Sequence, residues 1–240
     1  MKQHETAEIR KAFAFEETDD NAHLSSKLGI QRYVMMADQI KKILGDGRIL
    51  DWGCGAGQMS YLLKNRGLDV TSCDIRPGNR PLLEGIGQSV QQLTDQVKLP
   101  FTDASFDAVL SSGVLEHVND QFASLKEISR ILKDGGYFFV YMLPNRYSYV
   151  EFISDLLGRG DHPVKYSLKE IRGIVEQTGF EVSRMGYQNF FPYNLKGFPK
   201  ILRKIYHSFD GLIEKLDSLF IFLPLIRRLS TNLVVVARKK

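Results

Sequence analysis

Cysteine is scarce in this chain of 240 residues: there are two, Cys54 and Cys73. Their number and spacing suit neither a metal site nor a disulfide framework. A reduced, cytoplasmic setting is therefore expected, with both thiols packed beside strand ends. Long apolar runs are also lacking. The longest, Leu219 to Ile226, has eight residues and contains Pro224, against the roughly 20 that a membrane-crossing helix needs. The opening MKQHETAEIRKAFAF is polar and of mixed charge, unlike a signal peptide. No large excess of one charge is present either. Lys and Arg number 32 and Asp and Glu 28, a net charge of +4, so the chain as a whole is not built as a polyanion binder. Repeats and low-complexity tracts are absent. What the chain does have is 43% hydrophobic residues, ample for a core.

The most informative stretch is Ile49 to Ser60, ILDWGCGAGQMS. Ile49 and Leu50 read as the end of an apolar strand, with Asp51 at its carboxyl edge. Gly53, Gly55 and Gly57 allow a sharp turn and close approach of a ligand. From Gln58 the pattern is helical, so free N–H groups face whatever lies over the glycines. Leu68–Cys73 reads as a second strand that ends at Asp74. An acidic residue about 20 positions beyond a glycine turn, at the tip of the next strand, can accept from both ribose hydroxyls. Ile75 would then pack against the adenine face. This is a nucleotide-type site in an open α/β sheet. It departs from the dinucleotide fingerprint, since Gln58 stands where the third glycine would be.

The G-x-G-x-G after Asp51 resembles motif I of the class I S-adenosylmethionine-dependent methyltransferases. The block Asp95–Val118, DQVKLPFTDASFDAVLSSGVLEHV, strengthens that likeness. It is similar to the D-x-x-x-L-P-F-x-D-x-S-F-D-x-V segment of the branch holding ubiquinone and menaquinone methyltransferases and related bacterial small-molecule enzymes. The resemblance implies that Asp95 accepts from the adenine amino group and that Ser111, ending strand four, meets the methionine moiety of S-adenosylmethionine. S-adenosylhomocysteine would be the product. It also implies a Rossmann-like α/β fold: a seven-stranded, mostly parallel sheet, an antiparallel last strand and helices on both faces.

The quinone O-methyltransferases typically read E-V-L-E-H-V where this chain has Gly113-Val114-Leu115-Glu116-His117-Val118. With the first Glu replaced by Gly113, no metal site is expected, because hard divalent ions need several oxygens. His117 is a candidate base or substrate contact, or only a loop residue. His162, in an H-x-x-x-Y-S sequence that the branch often carries before a helix, is the other candidate base. Ser167 and Glu170 form a capping box that opens that helix, 168–178. No Asn/Asp-Pro-Pro-Tyr/Phe follows strand four, which favours a hydroxyl or carbon acceptor over an amino group.

The chain divides into an N-terminal helical cap (1–44, helices over 5–17 and 27–44), a cofactor-binding core (45–186), an insert (187–229) and the last core strand (230–240). The cap either covers the sheet or closes over the substrate. Inside the core a helix is expected over 58–66, a tight turn at Asp134-Gly135-Gly136, and a buried strand over 137–143. The insert replaces a short hairpin connection. It carries seven Lys or Arg against three Asp or Glu, with nine Phe or Tyr from 187 to 222. Three roles remain open for it: a lid or homodimer contact, a peripheral contact with the inner face of a membrane or a lipid-linked substrate, or, least supported, nucleic acid. The implied activity is methylation, at oxygen, of a small or lipid-linked acceptor such as a quinone, a lipid-linked glycan or a sugar. The competing readings are a non-catalytic scaffold of the same fold and an NAD(P)-dependent oxidoreductase.

Overall fold

The computed structural model describes residues 2–13, 24, 26–78, 80–160, 162–192, 195 and 198–240. Residues 14–17 of the first expected helix and residues 193, 194, 196 and 197 of the insert lie outside these residues. At the centre is one sheet of seven strands: β1 (Arg48–Trp52), β2 (Asp69–Asp74), β3 (Val90–Gln92), β4 (Phe106–Ser112), β5 (Leu132–Pro144), β6 (Phe180–Gln188) and β7 (Asn232–Lys239). Their order is β3-β2-β1-β4-β5-β7-β6. Strands β1 to β5 pair in parallel, and β7 alone runs antiparallel to its neighbours β5 and β6. This is the expected fold class. The strand order reverses between β1 and β4, so the crevice for a ligand lies at their carboxyl ends.

The central strands are buried on both faces, as parallel strands covered by helices must be. In β5, Phe139 and Tyr141 join the core on one side, and Phe138 and Val140 join the core on the other. The first side is covered by α1 (Lys2–Phe13), α2 (Lys27–Leu44), α3 (Gln58–Lys64) and the short α4 (Pro81–Glu84). The second is covered by α5 (Gln121–Ile131) and α7 (Leu168–Gln177). Helix α2 starts where Ser26 caps the Gly29 N–H at 2.9 Å. It buries Ile30, Tyr33, Val34, Ala37 and Ile40, the stripe read at helical spacing. The capping box at Ser167 and Glu170 is present at the start of α7.

Several local expectations are corrected. Asp134-Gly135-Gly136 does not separate helix from strand but lies inside β5. Pairing with β4 jumps from Leu132 to Tyr137 while β4 advances only from Phe106 to Ala108. The glycines are absorbed as an outward bulge. Gly136 must be small, since a Cβ there would lie 2.8 Å from the Lys133 carbonyl oxygen. Phe122, at helical spacing from the buried Leu125 of α5, would be expected on the buried face but is 40% exposed, with the Lys126 ammonium 4.9 Å from its ring centre. The first helix begins at Lys2 rather than at residue 5, residues 14–17 of that expectation lying outside the described ones, and α3 ends at Lys64 rather than near 66.

Two segments leave the carboxyl edge and return to it. One follows β5 and contains α6 (Tyr149–Leu156). The other joins β6 to β7 and contains α8 (Lys200–His207), α9 (Asp210–Phe222) and a 3-10 turn (Ile226–Leu229). Asn145 ties them together: its side-chain amide donates to the carbonyls of Arg228 (2.8 Å) and Ser230 (2.7 Å).

Candidate active site

The glycine turn after β1 is held from below by β2. The N–H groups of Gly53 and Cys54 both donate to the Cys73 carbonyl at 2.9 Å. Gly53 and Gly57 are crowded: a Cβ at Gly53 would meet Val114 at 2.6 Å, and one at Gly57 would meet Leu83 at 2.5 Å. Gly55 differs. Its φ is +54°, and a Cβ would meet nothing within 4 Å. The turn thus presents bare backbone to an open cradle, which suits a ligand lying across it.

Asp74 closes one side of the cradle and is 3% exposed. Its Oδ2 accepts from the Gly55 N–H at 2.7 Å and its Oδ1 from the Arg76 N–H at 2.8 Å. A carboxylate has about four lone-pair positions, so a vicinal diol can still be accepted. Arg80 was not singled out from sequence, where nothing in its spacing marks it. Its guanidinium donates to the carbonyls of Gly55, Gly78 and Arg76, each at 2.8 Å, and lies 3.8 Å from Asp74. It staples the glycine turn to the loop after β2. Ile75 is 39% exposed, an apolar side chain available to the face of a base.

Asp51 is brought to the same region but turns inward. Its Oδ2 accepts from the Ser60 hydroxyl at 2.6 Å, and Ser72 donates to that hydroxyl at 2.8 Å. Burial pushes the Asp51 carboxyl up to about 6, against the bonds from Ser60 and with a smaller push from Asp74. Its visible role is to anchor β1 to α3. Asp95 stands on the loop after β3, whose last residue Gln92 pairs with Asp74. It is exposed, and its Oδ1 accepts from the N–H groups of Lys98 and Val97, which hold its carboxyl below the usual range. Ser111 pairs with Trp52 in the register of β4 and β1. Both cysteines are free and buried, and burial pushes the Cys73 thiol up to about 12. They pack and do not react.

A second group of side chains meets beyond Val114, the residue that lies against Gly53. Glu116 (1% exposed), His117 and His162 bring ligating atoms within 4.8 Å of one another. The two imidazole rings are 5.8 Å apart, centre to centre. Glu151, on the inner face of α6 and 6% exposed, stands 3.0 Å from His162 Nδ1 and 3.3 Å from Lys165 Nζ. Burial pushes the Glu116 carboxyl up to about 7; its own backbone N–H and His162 oppose this, and Glu151 adds to it. Burial raises the Tyr166 phenol too, with Glu116 adding to the effect. The sequence reading had His117 and His162 but not Glu151 or Tyr166: Glu151 enters from the inner face of α6, and Tyr166 follows His162 in the same connection with no chemistry of its own to mark it.

Among the described residues, Ser111 Oγ, Ser112 Oγ, Glu116 Oε2 and Tyr166 Oη are buried without a hydrogen-bond partner in the protein. Buried polar atoms normally find one. Their grouping along the carboxyl ends of β4 and β5 marks the place where a polar ligand would complete the structure. A Cβ built on Gly113 would lie 3.8 Å from Glu116 Oε1, so the carboxylate missing from the resembled motif would have stood in this same group.

Comparison with known proteins agrees with the geometry. Residues 50–140 match a family described as methyltransferase domain. A ubiquinone biosynthesis O-methyltransferase from Xanthomonas oryzae is 35% identical over 140 residues, covering 52% of this chain and 58% of that protein. The chain thus spans under two thirds of that relative. An uncharacterized protein from Methanocaldococcus jannaschii is 27% identical over 236 residues, covering 92% and 88% of the two chains. Among solved structures, a Thermotoga maritima protein described as a methyltransferase that possibly acts on histamine nitrogen superposes with a TM-score of 0.62 at 20% identity, over 97% and 99% of the chains. The domain match, the strand order and the glycine turn agree: residues 50–140 form a methyltransferase domain, and the chain has the fold of the class I S-adenosylmethionine-dependent methyltransferases.

Proposed function

We propose that the chain moves the methyl group of S-adenosylmethionine to a hydroxyl oxygen of a small or lipid-linked acceptor, with His162 as the base. The observation that carries this reading is the contact between Glu151 and His162. A buried carboxylate on Nδ1 favours the tautomer with its proton there and leaves Nε2 as the basic nitrogen. Lys165 keeps Glu151 from drifting. His117, across from His162, would contact the acceptor. The oxygen acceptor is also supported by the Xanthomonas oryzae relative, described as an O-methyltransferase.

The cofactor, when bound, brings a methyl group already activated on a sulfonium. The residues fit it: the Gly55 cradle, the two backbone-held oxygens of Asp74 for a ribose, the apolar Ile75 beside them and the orphaned Ser111 at the other side. Asp95 would serve the adenine amino group. The protein's own task is to hold the acceptor oxygen in line and take its proton. Such positioning contributes several kcal/mol, roughly 7–11 at the limit.

A second reading has its own observation. The convergence of Glu116, His117 and His162 supplies three ligands for a divalent cation even though Gly113 removes the expected one. A cation there would lower the acceptor's pKa in place of a free base. Methyl-labelled S-adenosylmethionine incubated with host extract, then partitioned into organic, aqueous and macromolecular fractions, tests the main reading. His162→Ala should lower kcat roughly 10²- to 10⁴-fold if it is the base. Turnover that survives in His162→Ala sinks that assignment. Turnover lost to a chelator and restored by magnesium or manganese selects the cation, and no label in any fraction selects the scaffold.

A further inference from the structure

We propose that the outer faces of α6, α8 and α9 form one docking surface for an anionic lipid bilayer. A surface helix ordinarily buries its apolar side and shows charge to water. Helices α6 and α9 reverse this. Helix α6 buries Glu151 and exposes Phe152 (69%) and Leu156 (75%). Helix α9 buries Asp217, paired with Arg32 at 3.0 Å, with Ile213 as its one buried apolar side chain, and exposes Leu219 (51%) and Phe222 (80%). Helix α8, with no buried residue, exposes Ile201 (69%) and Ile205 (53%). Water alone does not favour such an arrangement, and isolated exposed hydrophobics would not be repeated on three neighbouring helices.

The faces are continuous. The Arg159 guanidinium, just beyond α6, lies 5.5 Å from the ring centre of Phe198, just before α8. Behind them, the Phe190 ring meets Tyr149 of α6 at 5.0 Å in a tilted contact and Phe220 of α9 edge-to-face at 4.9 Å. Several aromatics of the insert therefore serve as an internal hinge pin, and the outward ones are left for a partner.

Charge identifies the partner. Asp210 and Asp217 are used internally: Asp210 accepts from the Leu28 N–H and faces His207, and Asp217 accepts from the Phe191 N–H besides pairing with Arg32. On the exposed side of residues 200–229 stand Lys200, Lys204, Lys215, Arg227 and Arg228, with Glu214 as the exposed acid. A second copy of this chain docked face to face would set cation against cation. Anionic headgroups around an apolar boundary satisfy both features at once. No described helix is long and apolar enough to cross a membrane, so the contact is interfacial. Because Glu151 occupies the inner face of α6, docking through its outer face would bring the candidate site to headgroup level. The inference stands on exposure and charge rather than on the methyltransfer reading, so vesicle binding and turnover can fail separately.

The test is co-sedimentation of the full chain with vesicles of equal parts phosphatidylcholine and phosphatidylglycerol, compared with phosphatidylcholine alone. Binding should be at least about tenfold tighter to the anionic vesicles and should weaken as salt rises. The double substitution Ile205→Glu with Phe222→Glu should weaken it at least about tenfold again, with circular dichroism and S-adenosylhomocysteine binding unchanged. No association at low salt, equal binding to both vesicles, or binding indifferent to the substitutions would overturn the proposal. So would a dimer in sedimentation velocity that the same substitutions dissolve, since a second copy would then be the occupant.

Discussion

Glu116 shows how a single residue can set a pH dependence for the whole chain. Its carboxyl is shifted from 4.5 to about 7, burial being the main cause. Between those values the folded chain holds a proton that the unfolded chain has released. Stability from this group is full below about pH 4.5, falls as pH rises through the window and is gone above about 7. Its share of the loss is on the order of 3 kcal/mol. Urea unfolding at about pH 5 and about pH 8 should show Glu116→Gln losing less stability over that range than the parent. An identical slope in the two proteins would mean that Glu116 is not buried as described. Asp74 makes a second prediction. Removing an ionised acceptor of this kind costs roughly 1.5–3 kcal/mol, so Asp74→Ala should weaken S-adenosylhomocysteine binding about 10- to 100-fold by calorimetry. Undiminished binding would remove Asp74 from the cradle. Glu151→Gln should lower kcat about tenfold and leave KM nearly unchanged, since the carboxylate acts only through His162. Asp74 was legible because a strand end and a spacing mark it. Glu151 was not, because nothing in sequence says which face of α6 turns inward.

Among elements, a largely buried ion pair ties the insert to α2. Arg32 of α2 and Asp217 of α9 are 11% and 10% exposed, and Arg32 also donates to Asn189. Breaking a buried pair from one side leaves an uncompensated charge at a cost of about 3–5 kcal/mol. Asp217→Ala should therefore destabilise the chain by that order and open the segment from Phe191 to Leu229 to limited proteolysis. Resistance equal to the parent's would show that the aromatic contacts of Phe190, Phe191 and Phe220 suffice. The sequence showed that this segment is basic and aromatic. It did not show that Asp217 points in while Leu219 and Phe222 point out, because amphipathic spacing defines a stripe without saying which medium the stripe meets.

At the scale of the whole molecule, a ligand that binds only the folded chain must raise its unfolding temperature. S-adenosylhomocysteine at about a hundred times its Kd should stabilise by roughly 2.7 kcal/mol. For a chain of this size that is a shift of about 5–10 °C in a thermal melt. NADH at the same concentration should leave the melt in place. The reverse pattern would reinstate the oxidoreductase reading.

The sequence by itself determined the sheet, the glycine turn, the position of Asp74 and the methyltransferase domain, because apolar strand runs, turn chemistry and acidic spacing are local signals. It also placed His117 and His162 as candidates, through motifs that each lie within a few residues. Only the tertiary structure decided that Asp51 faces Ser60, that Gly135 bulges out of β5, and that Glu116, Glu151, His162 and Tyr166 converge. Those residues come from two connections at one sheet edge, the one after β4 and the one after β5, and their meeting depends on how β4 and β5 end side by side. Which face of α6 and α9 is buried was decided in the same way, by the ion pairs Glu151–Lys165 and Arg32–Asp217 that form only once the chain has closed.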